Sequence, residues 1–429
     1  MIVQLAYGHG TLEVDLPQDG ATVIAPSHRE GLRDEHAAVC AALDAPIGTA
    51  ALRAQVTPRS RITIVHTDIT RPTPNDRLIP WLLAYLEGAG ARRENITLLN
   101  ALGTHRPNTR AELEQMLTPE VVANYACVNH EPENDEAHIQ FGVTSNGAPA
   151  LLNRHLVQAD IRIVTGFIEP HFFAGFSGGS KAIVPGVAGL GTIQHFHRAS
   201  LIAHPRTTWG DIAGNPLQQL SREMVALCPP HFIVNVTLDL DKRITGFFAG
   251  STIAAHDAGC AQAHREALQV VPRRYPVVVT TNSGYPLDQN FYQTVKGISA
   301  AARICEPGGT IVVASRCNQG LPDDGEFRRL LADPRSSAEL LSAIVASSHT
   351  PHDQWQVQTL LQCLAHARVV LYSELGSADR TLTRTAHTDD LEATLAACAH
   401  AHRRRLPIAF LPMGPLTIPV VASAGSGSA

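Results

Sequence analysis

Along the chain, short apolar runs rich in β-branched residues alternate with helical patterns. The short runs read as strands over Arg61–His66, Asn95–Asn100, Ile161–Gly166, Phe232–Leu238, Val277–Thr281, Thr310–Ala314, Arg368–Tyr372 and Ile408–Leu411. Several are apolar at nearly every position rather than at alternate ones, which suits strands covered on both faces. Helices fall between them. Arg77–Leu86 reads as one, and Pro80 fits it only within the first turn, where its missing N–H is not needed. Thr109-Arg110-Ala111-Glu112 has the form of a capping box and opens another. Thr237–Phe248 reads as a hairpin with its turn near Asp241. The alternation predicts an α/β chain with mostly parallel sheets.

At 429 residues the chain is too long for one ordinary core, so two α/β domains are expected. A break falls near Gln269–Tyr275, giving an N-terminal domain over 1–270 and a C-terminal one over 275–405. The segment 406–423, with the last strand after Pro407, is expected to return to the first domain, and 424–429 reads as an appended linker. A formal charge of −5 with no basic block argues against a nucleic-acid partner. No signal-peptide pattern and no membrane-length apolar run is present, so no membrane association is expected. The eight cysteines include no Cys-x-x-Cys pair, which argues against a disulfide framework or zinc knuckle. They suit buried thiols in a reducing cytoplasm.

The polar motifs mostly follow strands. Asp68-Ile69-Thr70-Arg71-Pro72 follows the first, Gly103-Thr104-His105-Arg106 the second and Glu169-Pro170-His171 the third. Gln289–Gly297 follows Val277–Thr281. Carboxyl ends of strands form the ligand crevice of open α/β sheets, so an active-site cleft between the domains is expected.

His105 and His171 are candidate general bases, since imidazole titrates near ~6.5. Gly175–Lys181 invites a phosphate-loop reading but departs from it, because Ser180 precedes the lysine and Ala182 follows it. Its glycines still let backbone approach a phosphate closely. Lys181 is either a turn lysine at the surface or a desolvated nucleophilic amine. His195 and His197, two apart, cannot share a helix face, and one histidine alone makes a poor metal site. Arg71 either binds an anionic group or pairs with Asp68 within its loop. Tyr292 and Lys296 would share a helix face, exposed or facing the cleft, with Gln293 beside them. Trp355 reads as a core or interface aromatic, and His400 and His402 as surface residues.

Together these motifs resemble the lactate racemase family, the nickel-pincer-nucleotide enzymes. The likeness is carried by Asp68-x-x-Arg71-Pro72, Gly103-Thr104-His105-Arg106, Pro170-His171-x-x-Ala174-Gly175-x-Ser177-Gly178-Gly179-x-Lys181, His197, Tyr292-Gln293-x-x-Lys296 and Asp353-Gln354-Trp355, in that order. The resemblance implies a pyridinium-3-thioamide-5-thiocarboxylic acid mononucleotide attached to Lys181, with nickel held by three cofactor atoms and His197. It implies racemisation of a 2-hydroxy acid, lactate or a relative, by hydride transfer through a 2-keto acid. His105 and His171 would each serve as base. Arg71, Gln293, Lys296 and Trp355 would meet the substrate. Asp68, Ser177, Gly178, Gly179 and Tyr292 would help hold the cofactor. Partner enzymes that build the cofactor are implied as well. Glu169 and Phe176 lie beside the matched positions and would alter pocket size.

Other readings are a nicotinamide-dependent dehydrogenase, a pyridoxal phosphate enzyme using Lys181, and a nickel-cofactor carrier without turnover. The first lacks a Gly-x-Gly-x-x-Gly turn after any strand. The last gives no role to two histidine bases.

Overall fold

A computed structural model describes residues 2–15, 21–230, 232–323, 325–401 and 407–422. The tail at 424–429, His402 and the side chain of His400 lie outside the described residues.

Two six-stranded sheets organise the chain. The first runs in the order Ile244–Gly250, Phe232–Leu238, Ile161–Phe167, Ile62–Thr67, Ile96–Ala101, Ala126–Asn129. All its neighbours are parallel except the first pair, which is the expected antiparallel hairpin. In its turn the Asp239 carboxylate accepts the N–H groups of Asp241 and Arg243, both at 2.9 Å. Central strands are buried along almost their whole length, as their unbroken apolar runs require.

Helix Asn75–Gly88 begins two residues earlier than expected, so Pro80 lies beyond its first turn. A proline there costs ~3 kcal/mol. The helix also buries Leu78, Ile79, Leu82, Leu83 and Leu86. Each contributes roughly 1.5–3 kcal/mol, and their sum exceeds the penalty even after allowing for a compact unfolded state. The Thr109–Glu112 capping box forms in both directions.

The second sheet is wholly parallel, in the order Ala386–Thr388, Arg368–Tyr372, Cys305–Ala314, Tyr275–Thr281, Ile408–Leu411, Ala21–Val23. Strand Ile408–Leu411 thus lies inside this sheet and does not return to the first. Its four residues are all buried, and only an inner position covers both faces and satisfies both edges. The start of the chain joins the same half. Val3, Leu5 and Val14 of the hairpin Ile2–Tyr7/Gly10–Asp15 pack with Val277, Val279 and Val312. The Gly8 N–H donates to the Asp288 carboxylate at 2.6 Å. Further along the same last segment, Ile418–Val421 pairs instead with Leu268–Val271, in parallel, at the end of the expected N-terminal domain.

All eight cysteines are free, and five are buried. No helix among the described residues is long and apolar enough to cross a membrane. The loops after Ile62–Thr67, Ile96–Ala101 and Ile161–Phe167 meet the helix that follows Tyr275–Thr281, and a cavity of about 140 Å³ lies where they converge.

Candidate active site

Asp68 follows strand Ile62–Thr67 and is almost fully buried. Its Oδ2 lies 2.6 Å from His105 Nδ1, and its Oδ1 accepts the Thr70 hydroxyl at 2.8 Å. Burial alone would raise its carboxyl, but His105, Arg71 and Thr70 hold it below the usual carboxylate range. The carboxylate fixes the ring proton on Nδ1, so His105 turns the Nε2 lone pair outward. Asp68 therefore faces His105 first. The Arg71 guanidinium makes no ion pair among the described residues, and the loop salt bridge does not form. His105 sits in a turn where Gly103 has φ +57° and donates to the Gly186 carbonyl at 2.8 Å. Such a φ favours glycine.

His171 is placed differently. It lies in a short antiparallel pair, Pro170–His171 with Gly175–Phe176. A Cβ at Gly175 would run into the Asp211 carbonyl. His171 is buried, with Phe172 stacked at 4.8 Å and Phe173 edge-on at 4.4 Å. Its Nδ1 accepts the N–H of Ala174 at 3.2 Å and, more weakly, of Phe173 at 3.4 Å. The neutral ring then carries its proton on Nε2. Burial, followed by Lys181, Lys296, Arg71 and His197, holds its pKa well below the usual histidine value.

In the glycine-rich loop, the Ser177 hydroxyl donates to the Phe167 carbonyl at 2.8 Å and accepts the Glu169 N–H at 2.9 Å. It is largely committed to its own loop. Gly178, at φ +78°, lines the cavity, whereas Gly179 packs against the His256 ring. The Gly179 N–H donates to Asn235 Oδ1 at 2.8 Å, and His256 Nε2 contacts the Ser177 carbonyl at 2.9 Å. Neither Asn235 nor His256 was singled out from sequence. A signal existed for Asn235, a lone amide inside the apolar run Phe232–Leu238. His256, on a helix distant in sequence, carried none.

The Lys181 amine reaches the cavity and makes no hydrogen bond or ion pair among the described residues. Burial, then Arg71 and Lys296, drives its amine well below the ordinary lysine range, against a smaller opposing pull from Glu169. A neutral amine is the nucleophilic form. His197 caps helix Leu190–Phe196 and contacts the Ile193 carbonyl through Nδ1 at 2.8 Å. That fixes its proton on Nδ1 and leaves Nε2 free, the arrangement metal-binding histidines use. Burial chiefly pushes its pKa down to about 3, so the ring is neutral. His195 is buried on the same helix and does not line the cavity.

The other wall is helix Phe291–Ala302, capped by Asn290, which accepts the Gln293 N–H at 3.0 Å. Tyr292 and Lys296 face the cavity instead of solvent, and Lys296 is only 7% exposed. Burial and then Arg71 lower its pKa to about 7, with Glu169 and Asp68 opposing. The buried Gln293 Oε1 has no partner among the described residues. Trp355 combines its two readings. It belongs to a buried core, yet stacks on His197 at 4.1 Å and donates from Nε1 to the Tyr292 hydroxyl at 2.9 Å. Phe176 and Glu169 do not line this cavity. Phe176 is core, and Glu169 faces a second cavity behind the loop.

The donor set fits a cofactor-borne metal. Among the described residues no group of three or more His, Cys, Asp or Glu can hold one. A metal here would take His197 Nε2 and draw its other ligands from a bound group, within reach of the unpaired Lys181 amine.

Residues 7–210 match a family described as the lactate racemase N-terminal domain, and 270–417 one described as the C-terminal domain. The chain is similar to the lactate racemase of Lactiplantibacillus plantarum, 34% identical over 382 residues, 85% of this chain and 89% of that protein. It is 33% identical to that of Thermoanaerobacterium thermosaccharolyticum over 381 residues, 87% and 88% of the two. The solved lactate racemase apoprotein from T. thermosaccharolyticum superposes with TM-score 0.91 at 30% identity, covering 99% of this chain and 100% of that one. A Thermotoga maritima protein shares the fold alone, with TM-score 0.68 at 16% identity over 85% of this chain and 94% of its own.

Proposed function

The chain belongs to the lactate racemase family and is an isomerase, and we propose that it racemises a 2-hydroxy acid by reversible removal of the C2 hydride. One observation carries the reading. Two imidazoles on separate loops face one cavity, together with an unpaired amine at Lys181 and a free Nε2 on His197. Acid–base chemistry on both enantiomers needs the pair, and a carrier needs neither.

Lys181 and His197 would hold a nickel-pincer nucleotide, with Tyr292 and the Gly178 backbone beside it. When bound, that group would supply the acceptor and donor for the C2 hydride. Arg71, which makes no ion pair among the described residues, binds the substrate carboxylate in a forked geometry. His105 takes the hydroxyl proton at Nε2, and Asp68 stabilises the imidazolium that results. Lys296 and the Gln293 amide orient the substrate oxygens. His171 serves the other enantiomer. Its Nε2–H is a donor as placed, so the ring must move that proton to Nδ1, displacing the Ala174 contact, before Nε2 accepts one. Phe172, Phe173 and Trp355 keep water from the reacting carbon.

The test is intact mass and nickel content of protein produced with the cofactor-building enzymes, beside Lys181→Ala. An adduct and nickel present only in the parent chain are expected. Racemisation of C2-deuterated lactate should retain the label, and washout into water would replace hydride transfer with proton abstraction at carbon.

A further inference from the structure

Behind the loop that carries His171 lies a second cavity, of about 180 Å³. Its walls come from both halves of the chain. Phe167–Pro170, the hairpin turn at Leu238–Lys242 and the end of helix Thr252–Ala267 form one side. The loop Ser283–Leu287, with Met413 and Leu416, forms the other. Much of the lining is apolar, including Phe167, Leu238, Leu287 and Leu416.

Three carboxylates, Glu169, Asp239 and Glu266, interrupt that surface. Glu169 is 7% exposed, and its side chain has no hydrogen bond or ion pair among the described residues. Its position is nonetheless fixed, because its N–H and C=O both bond to Ser177, each at 2.9 Å. Ser283 Oγ, on the facing wall, is also buried without a partner. Among the other charged groups on the wall, Glu266 Oε1 is likewise buried without a hydrogen bond. Glu266 lies 3.5 Å from Arg29, Asp239 is paired with Arg243 at 2.8 Å, and Lys242 stands 5.8 Å over the Tyr285 ring. His28 completes the charged or titratable lining. Burial raises the Glu169 carboxyl, and Lys296, Arg71 and Lys181 oppose this from the catalytic side without bonding to it.

A mostly apolar cavity with a few converging polar groups is the usual form of a small-molecule site. The Glu169 carboxylate only accepts and the Ser283 hydroxyl can accept or donate, so an occupant that donates meets both. An ammonium group brings three donors, no acceptor and a positive charge in direct contact, which the Glu169 carboxylate does not otherwise have. A hydroxyl brings one donor and no charge. A metal ion is disfavoured, since no cluster of three ligating side chains exists among the described residues. We propose that this cavity binds a small amphipathic ammonium compound, its cation between Glu169 and Ser283 Oγ and its apolar body against Phe167, Leu238 and Leu416. Such a ligand would touch both halves of the chain, two residues from His171.

Calorimetric titration at pH 8 with benzylammonium, and with benzyl alcohol as the uncharged match, tests the site. It needs neither cofactor nor turnover, so its outcome is independent of the racemase reading. Saturable benzylammonium binding is expected, at least tenfold weaker for Glu169→Gln and for Leu416→Trp, which fills the cavity and leaves the carboxylate in place. Circular dichroism establishes that each variant is folded. Absence of saturable binding to the parent chain, equal affinity for the alcohol, or unchanged affinity in a folded Glu169→Gln protein overturns the proposal.

Discussion

The two sides of the catalytic cavity carry the same side chain in opposite states. On one, His105 is 31% exposed and its Nδ1 faces a carboxylate, so the cavity receives a lone pair. On the other, His171 is buried among phenylalanines and its Nδ1 faces a backbone N–H, so the cavity receives a proton. The identity of a histidine therefore does not settle its role. The neighbour of the remote nitrogen does, because a neutral imidazole has one proton to place.

Replacing each histidine should break the comparison most sharply. His105→Gln and His171→Gln should each lower racemisation about 10³-fold, within the span of general acid–base catalysis. Single-turnover keto acid formation from each enantiomer separates them, since each variant should keep the half-reaction that its remaining histidine serves. Loss of both half-reactions in both variants would mean that the histidines act as one unit.

Asp68→Asn keeps the shape but lets the amide donate to Nδ1, which moves the ring proton to Nε2. A loss of about 10²–10⁴-fold in kcat is expected, as for other carboxylate–histidine pairs. The nitrogen-15 spectrum of His105 should show the changed tautomer, and a variant with full activity would remove Asp68 from the mechanism.

Lys296 sharpens the comparison through pH. Its cation, lowered to about 7, is lost as pH rises through that value. With a neutral lysine unable to hold the substrate oxygens, kcat/KM should fall about tenfold per pH unit on the alkaline side. Lys296→Arg should remove that limb. A profile of the parent chain that stays flat to pH 9 would show that the cation is not required.

Trp355→Phe should have the smallest effect. It removes the hydrogen bond to Tyr292 but keeps a ring against His197. About 1 kcal/mol, or roughly five-fold in kcat/KM, is expected, with nickel content retained. Loss of nickel would mean that the indole itself holds His197 in place.

Much of this was legible in the sequence, for identifiable reasons. Unbroken apolar runs such as Phe232–Leu238 mark buried parallel strands because both faces must be covered. The Thr109–Glu112 box is legible because its bonds are local. Asp68, His105 and His171 lie just after strands, and sheet geometry brings such segments together. Pro80 shows the limit, since its helix is secured by tertiary burial that overrides a local penalty.

By itself, then, the chain determined the long buried strands of both sheets and which loops after them carry reactive side chains. Periodicity and turn chemistry act over a few residues, and so can be read from them. Tertiary structure alone decided that Ala21–Val23 and Ile408–Leu411 complete the second sheet and that Asp68 orients His105 before anything else. It alone placed Gly179 against His256, and Glu169 in a separate cavity. Each depends on contacts between groups far apart in sequence. Burial and the nearest partner there set where a proton or charge resides, and neither is written in the local order of residues.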